Sequence, residues 1–183
     1  MTIVVRKLFV NFEKEERWIN EMSAKGLHLK GYSIGRYVFE EGEPGKYIYR
    51  FELLTQLPSH PESKAYIRFM EEMGIECVYK TFRWVCFRKK AEDGSFDLYS
   101  DYDSRIAFYK RVASLYGILG GLNLMIAIIN LMIGITNGGA GHTFLNAYFS
   151  ILNWLIVLFF APLFISYLRS ISKLKKMKGL FDS

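Results

Sequence analysis

Val112 to Thr136, VASLYGILGGLNLMIAIINLMIGIT, and Phe144 to Leu168, FLNAYFSILNWLIVLFFAPLFISYL, decide the architecture of this chain. Neither stretch contains Asp, Glu, Lys or Arg, and each has about 25 residues. A helix of about 20 apolar residues is long enough to cross a bilayer. Helices in soluble cores are seldom so long and so evenly apolar. The two stretches therefore predict a transmembrane helical hairpin with spans at 112–136 and 144–168.

The charges around the two spans predict their orientation. Arg105, Lys110 and Arg111 precede the first span, basic residues follow the second, and the connecting stretch ITNGGAGHTF carries only His142. Lys and Arg accumulate on the cytoplasmic side of membrane proteins. We expect a two-span cell-membrane protein with both termini in the cytoplasm. The basic tail, 169–183, either contacts anionic lipid or docks an acidic partner; its candidate residues are Lys173, Lys175, Lys176 and Lys178.

Small and polar residues recur in both spans at spacings of three and four, which places them on one face of each helix. Either these stripes pack the two helices together, or one stripe docks another membrane protein. Ala113, Gly117 and Gly121 form a separate ladder that could pack a second copy of the chain. The packing candidates are Gly120, Asn123, Ala127, Asn130, Asn146, Ser150 and Asn153.

The part before the first span has the composition of a soluble domain. The 183 residues carry a formal net charge of +6, and nearly all acidic residues come before Arg111. This asymmetry favours a cytoplasmic domain over residues 1–94 and a juxtamembrane linker or helix over 95–111. Cys77 and Cys86 lack metal-site spacing, which predicts two reduced thiols without a metal.

The pattern of elements in this domain predicts an α+β fold. Helices are expected in FEKEERWINEMSAKG, starting at Phe12, and in PESKAYIRFMEEMG, where Ser59 and Glu62 have capping-box spacing. LHLKGYSIGRYVFEEG predicts one long or broken strand, and IECVYKTFRWVCFRKK one bent strand or two. The predicted elements follow in the order strand, helix, strand, strand, helix, strand. This is the order of a ferredoxin-like (split βαβ) sandwich, with one sheet and both helices on the same face.

Strand alternation assigns aromatic residues to the helix-covered face and charged residues to an open face. Val38, Ile48 and Val85 lie among the charges, so the open face is either a solvated surface with weak ion pairs or a platform for a partner. The candidate binding residues on this face are Arg36, Arg50, Glu52 and Arg83.

Enzyme motifs are absent from the sequence: it contains no GxSxG, HExxH, P-loop or GxGxxG, and His28 and His60 are isolated. We therefore expect no catalytic residue, metal or other cofactor. Nucleic acid is not expected either, because the sheet arginines are mixed with glutamates. The favoured function is a membrane-anchored regulatory module that acts on a membrane-protein partner, or on a second copy, at the inner face. An accessory transporter subunit and an inner-leaflet enzyme are the alternatives.

LPSHPES, RWVCFRKK and SDYDSRI resemble a known family. The chain resembles the domain-of-unknown-function 2812 family (DUF2812) over about Lys7 to Arg111, a stretch that includes FEKEERWINEMSAKGLHL and GRYVFEEGEPGKYIYRFELL. The resemblance implies a membrane protein of mainly Gram-positive bacteria. It implies no activity and no catalytic residue.

Overall fold

The computed structural model of the chain describes residues 1–136 and 143–181. The chain divides into two compact units, residues 1–100 and residues 101–183. The glycine-rich turn expected between the two spans falls on 137–142, which lies outside the described residues.

The N-terminal unit has the element order strand, helix, strand, strand, twice over. Asn11 caps the first helix, and its side chain accepts a hydrogen bond from Lys14 N at 3.0 Å. His60, not Ser59, caps the second helix and accepts from Glu62 N at 3.4 Å. A short 3-10 turn, Ala91–Asp93, follows the last strand. The elements are β1 (Thr2–Arg6), α1 (Phe12–Ala24), β2 (Leu27–Ser33), β3 (Arg36–Glu41), β4 (Tyr47–Leu53), α2 (Pro61–Glu72), β5 (Glu76–Thr81) and β6 (Trp84–Lys90).

The strands form two antiparallel three-stranded sheets, sheet A in the order β1-β3-β2 and sheet B in the order β4-β6-β5. The expected α+β class is confirmed, but its strands do not form one sheet. Each stretch that allowed one strand or two is a hairpin. The turns are at Gly35, with φ +71°, and at Phe82, with φ +57°. Each half of the unit thus forms its own sheet.

Sheet B is covered on both faces. On one face Val85 and Phe87 pack with Ile67 and Met70 of α2 and with Phe96. On the other, aromatic residues of β4 and β6 meet α1 and sheet A, as in the contact between the Phe12 and Trp84 rings, 5.3 Å apart. The open face expected to include Val85 is therefore occupied by α2 in this half. In sheet A, the face with Val38 remains accessible.

The C-terminal unit consists of two long helices, α3 (Tyr102–Thr136) and α4 (Thr143–Phe181), of 35 and 39 residues. Both are long and apolar enough to cross a membrane, as expected of a helical hairpin. Asp101 caps α3: its side chain accepts a hydrogen bond from Ser104 N at 2.8 Å. Within the helix pair the rings of Tyr116 and Tyr167 stack at 5.4 Å.

Candidate functional site

The polar side chains of α1 bind the free edge of β4. Asn20 bridges this edge: its Nδ2 donates to Tyr49 O at 3.0 Å, and its Oδ1 accepts from Tyr49 N at 2.9 Å. Ser23 Oγ donates to Tyr47 O at 2.7 Å, and Glu16 Oε2 accepts from Phe51 N at 2.8 Å. An uncovered edge strand presents unpaired backbone groups, and here a helix satisfies them. The contact fixes α1 against sheet B.

An open groove of about 490 Å³ runs along this contact. One wall is α1, whose lining residues are spaced as neighbours on one helical face; the other is the side of β4 that carries Ile48 and Arg50. The wall carries carboxylates, guanidinium groups and an amide, so both signs of charge are available to a bound group. The lining residues are Glu13, Glu16, Arg17, Asn20, Ile48 and Arg50.

Arg50 and Glu16 are the electrostatic centre of the groove. Arg50 Nη1 lies 3.5 Å from Glu16 Oε1 and donates to Tyr49 O at 2.9 Å. Burial raises the pKa of Glu16, and this outweighs the opposite effects of the Phe51 N–H and of Arg50. The contact with Phe51 N thus holds the Glu16 carboxylate beside the Arg50 guanidinium in the wall of the groove.

A second polar cluster lies between the two sheets. Glu15 Oε1 accepts from Tyr37 Oη at 2.6 Å and from Tyr79 Oη at 3.4 Å, and the ring of Tyr32 lies 4.8 Å from each of these tyrosine rings. Burial raises the pKa of Glu15, and the hydrogen bonds of both tyrosines offset this only partly. Tyr37 is 1 % exposed. The cluster therefore joins α1, sheet A and sheet B in the interior.

The structure separates the four sheet residues singled out from the sequence. Arg36 is exposed in sheet A, whereas Arg50 lies in the groove on sheet B. Glu52 is buried and accepts a hydrogen bond from Tyr99. Arg83 lies in the turn between β5 and β6, and its Nε donates to Leu54 O at 2.8 Å. The four do not share one open face, because the strands belong to two sheets.

The groove residues on α1 were missed by the sequence analysis. Glu16, Asn20 and Ser23 follow at spacings of four and three, which is the signature of one helical face. Polar residues at this spacing usually face water. Here they face β4, a tertiary contact that the sequence pattern alone does not signal.

The membrane-packing candidates lie at different places in the helix pair. Ser150 Oγ donates across the pair to Ala127 O at 3.2 Å, and both residues are buried. Asn123 and Asn153 instead donate to carbonyl groups of their own helices. Gly120 faces Phe160, with 3.9 Å between an added Cβ and that side chain's Cβ. Asn130 and Asn146 are half-buried.

The basic tail continues α4 to Phe181. Lys178 Nζ lies 2.6 Å from Asp103 Oδ2, so one of the tail lysines pairs with the start of α3. Lys173, Lys175 and Lys176 are exposed. Cys77 and Cys86 are both free thiols. Across residues 1–136 and 143–181, no three or more His, Cys, Asp and Glu side chains come together as metal ligands could.

A family model described as a protein of unknown function, DUF2812, matches residues 11–120. This match covers α1, sheet B, sheet A without β1, and the first part of α3. Neither the curated proteins nor the solved structures contain a match to the chain.

Proposed function

The chain belongs to the DUF2812 family, which defines no activity, and we propose that it is a membrane-anchored interaction module that binds a protein partner at the inner face of the membrane. Its helix pair holds it in the membrane, and its N-terminal unit binds the partner in the cytoplasm. The observation that carries this proposal is the combination of a self-contained α+β unit bearing an open, charged groove with two helices long enough to span a bilayer.

The groove suits a polypeptide segment. It is open along its length and offers both carboxylate and guanidinium groups next to the apolar side chain of Ile48. A peptide chain supplies charges of both signs and apolar side chains at short spacing, so it matches such a lining. Charge complementarity of this kind contributes mainly to specificity and to the rate of association.

The orientation follows from the charges. Arg105, Lys110 and Arg111 precede the apolar part of α3, and the lysines of the tail follow that of α4. Both flanks are expected to stay in the cytoplasm. The N-terminal unit would then share a compartment with cytoplasmic parts of other membrane proteins.

The test is crosslinking in living cells, followed by affinity purification of the tagged full chain in mild detergent and mass spectrometry. We expect a stoichiometric partner with the unchanged chain, lost in Arg50→Glu because the groove then repels an acidic segment. Arg68→Glu is the matched control, since Arg68 is an exposed arginine of α2 that does not line the groove.

Two results would contradict docking in the groove. A partner retained by Arg50→Glu but lost in the double variant Asn123→Leu, Asn130→Leu would place docking in the membrane helices, as in an accessory transporter subunit. Crosslinks to copies of the chain alone, unchanged by Arg50→Glu, would replace the partner by a homo-oligomer.

A further inference from the structure

Two connections of sheet A lie side by side. Lys7 N donates to Gly35 O at 3.0 Å, which joins the β1–α1 connection to the β2–β3 turn. A Cβ added to Gly35 would lie 2.8 Å from Leu8 Cδ2, so the Leu8 side chain lies directly against this turn. One end of sheet A thus carries both connections.

Two connections of sheet B lie at this same end. The rings of Tyr32 and Tyr79, tilted by 31° with their centroids 4.8 Å apart, place the ends of β2 and β5 next to each other. Leu54 N donates to Arg83 O at 2.8 Å, which brings the start of the β4–α2 connection to the β5–β6 turn. We call this end of the unit the loop end; it comprises residues 7–11, 34–35, 54–60 and 82–83.

Large apolar side chains are exposed on each of the four connections. Leu8 is 77 % exposed, Ile34 85 %, Leu57 50 % and Phe82 74 %. Single exposed apolar residues are common on protein surfaces. Here an exposed apolar side chain lies on each of the four connections at the same end. Such a group of exposed apolar side chains indicates a surface that binds a partner or a membrane.

Phe82 is also held in an unfavourable backbone conformation. Among the described residues it alone combines a side chain with a positive φ, +57°. Gly or Asn fits such a position better than a bulky aromatic residue does. A residue that is both strained and exposed in the free unit is expected where its side chain is needed for a contact.

The charge of the loop end is positive. No Asp or Glu occurs in residues 6–11, 33–36, 54–60 or 80–83. Two of the connections at the opposite end, 41–46 and 90–94, contain four acidic and two basic residues. Basic side chains lie within or directly next to the loop-end connections, at Arg6, Lys7, Arg36 and Arg83; Lys80, Glu13 and Glu62 lie two residues away.

The chain leaves the N-terminal unit at this end. The Tyr99 hydroxyl donates to the carboxylate of Glu52. Glu52 precedes Leu53, which pairs with Trp84 beside the β5–β6 turn. The next residues lead into α3, which begins at Tyr102. The segment that leads to α3 therefore leaves the N-terminal unit beside the loop end.

We propose that the loop end binds the anionic surface of the membrane, with Leu8, Ile34, Leu57 and Phe82 entering the headgroup region and the basic side chains contacting lipid phosphates. Apolar side chains surrounded by Lys and Arg are the pattern of surfaces that bind at a membrane interface. Each basic residue near an anionic leaflet strengthens binding about fivefold. The proposal goes beyond the anchored module and rests only on its placement at a membrane.

The experiment uses the full chain in lipid nanodiscs. A fluorophore is attached to Phe82→Cys or, in a second variant, to Ile34→Cys, and its quenching by lipids with a nitroxide at the headgroup is measured. Glu43→Cys, on the exposed β3–β4 turn at the opposite end, is the control label. The parent protein, treated identically, corrects for labelling of Cys77 and Cys86.

We expect quenching of both loop-end labels, but not of the label at position 43, in discs containing phosphatidylglycerol. High salt, uncharged lipid or the added change Arg36→Glu should weaken the contact, the last by about fivefold or more. Because both faces of a nanodisc carry the same lipid, this result does not depend on which terminus is cytoplasmic, so a failure here is separate from a failure of the proposed orientation.

Three results would overturn the proposal. Loop-end labels quenched no more than the control would remove the membrane contact. Equal quenching in charged and uncharged lipid would remove the role of the basic side chains. Labels shielded from water only in discs that hold two copies, without quenching by lipid, would assign the loop end to a dimer contact.

Discussion

Glu15 and Glu16 are neighbours in sequence with different surroundings. Glu15 is held by tyrosine hydroxyls between the two sheets, and Glu16 by a backbone N–H of β4 and by Arg50. Burial raises the pKa of both carboxyl groups. The charged form of each carboxyl group therefore destabilises the folded state. The free energy of unfolding should then depend on pH.

Replacing Glu15 by Gln removes the charge and keeps an oxygen for Tyr37. A carboxyl group whose folded pKa lies above its unfolded value binds a proton more tightly in the folded state. Its contribution to stability is thus largest below about pH 4.5 and declines as the pH rises through the raised pKa. As the pH rises through this pKa, the Glu15→Gln variant should become more stable relative to the unchanged chain.

Hydrogen exchange of α1 and β4 peptides in the detergent-solubilised full chain, compared at pH 5 and pH 8 after correction for the intrinsic exchange rate, measures this difference. Glu21→Gln is the control, because Glu21 is an exposed carboxyl group of the same helix. If the difference between the Glu15→Gln variant and the parent is the same at both pH values, the carboxyl group is not destabilised by burial.

Side chains of α1 form hydrogen bonds with the backbone at the edge of β4. Asn20→Ala would leave Tyr49 N, on a buried residue, without its partner, whereas Tyr49 O keeps the hydrogen bond from Arg50 Nη1. A buried backbone group without a hydrogen bond costs about 1–3 kcal/mol. We expect a loss of that order in the free energy of unfolding of the N-terminal unit, measured by denaturant titration followed through Trp18 and Trp84 fluorescence.

Arg17→Ala is the matched control for that experiment. Arg17 is exposed on the same helix, so the change should stay within about 0.5 kcal/mol. Equal effects of the two changes would mean that α1 is held by its apolar side chains alone.

The elements show which features the sequence could predict. The predicted helix starting at Phe12 is α1, and Ile19 within it is fully buried. The predicted strands also exist. Their division into two sheets depends on turns at Gly35 and Phe82. Phe82 carries no turn signal, so the pattern could not choose between one strand and two. The groove was missed for a related reason: Asn20 meets a strand that is distant in sequence.

In the helix pair, too, the sequence did not predict which residues pack closely. Ala113, Gly117 and Gly121 were interpreted as one ladder. In the structure, Ala113 is buried, and a Cβ on Gly117 would lie 2.9 Å from Phe164 of α4, whereas a Cβ on Gly121 would have no neighbour within 4 Å. Spacing places residues on one face of a helix but does not say how far across the contact that face extends.

Gly117→Ile should therefore weaken the helix pair, and Gly121→Ile should not. Overpacking of a close contact costs about 1–3 kcal/mol. The measurement is the yield of a disulfide between Ala127→Cys and Ser150→Cys, positions joined by a hydrogen bond across the pair, in the Cys77→Ser, Cys86→Ala background. Loss of the crosslink in the Gly121→Ile variant rather than in the Gly117→Ile variant would contradict the observed packing.

At the scale of the whole molecule, the halves of the N-terminal unit share one topology. Each is a strand, a helix and a hairpin, with the hairpin's second strand in the middle of its sheet. The sequences of the halves match as well: Ile19, Met22 and Gly26 have the spacing of Ile67, Met70 and Gly74, a repeat that the sequence analysis missed. The division into an α+β unit and a pair of apolar helices could be predicted from the sequence, because charge and hydropathy change abruptly near Arg111.

The charges that flank the two spans predict the orientation of the whole molecule in the membrane. If the positive flanks stay inside, a cysteine at position 142 faces outward and one at position 183 faces the cytoplasm. A membrane-impermeant maleimide should label His142→Cys in intact cells, and Ser183→Cys only after the membrane is opened. The parent protein, with Cys77 and Cys86 free, measures the background. Labelling of Ser183→Cys in intact cells would invert the topology and move the groove, its partner and the basic tail to the outer face.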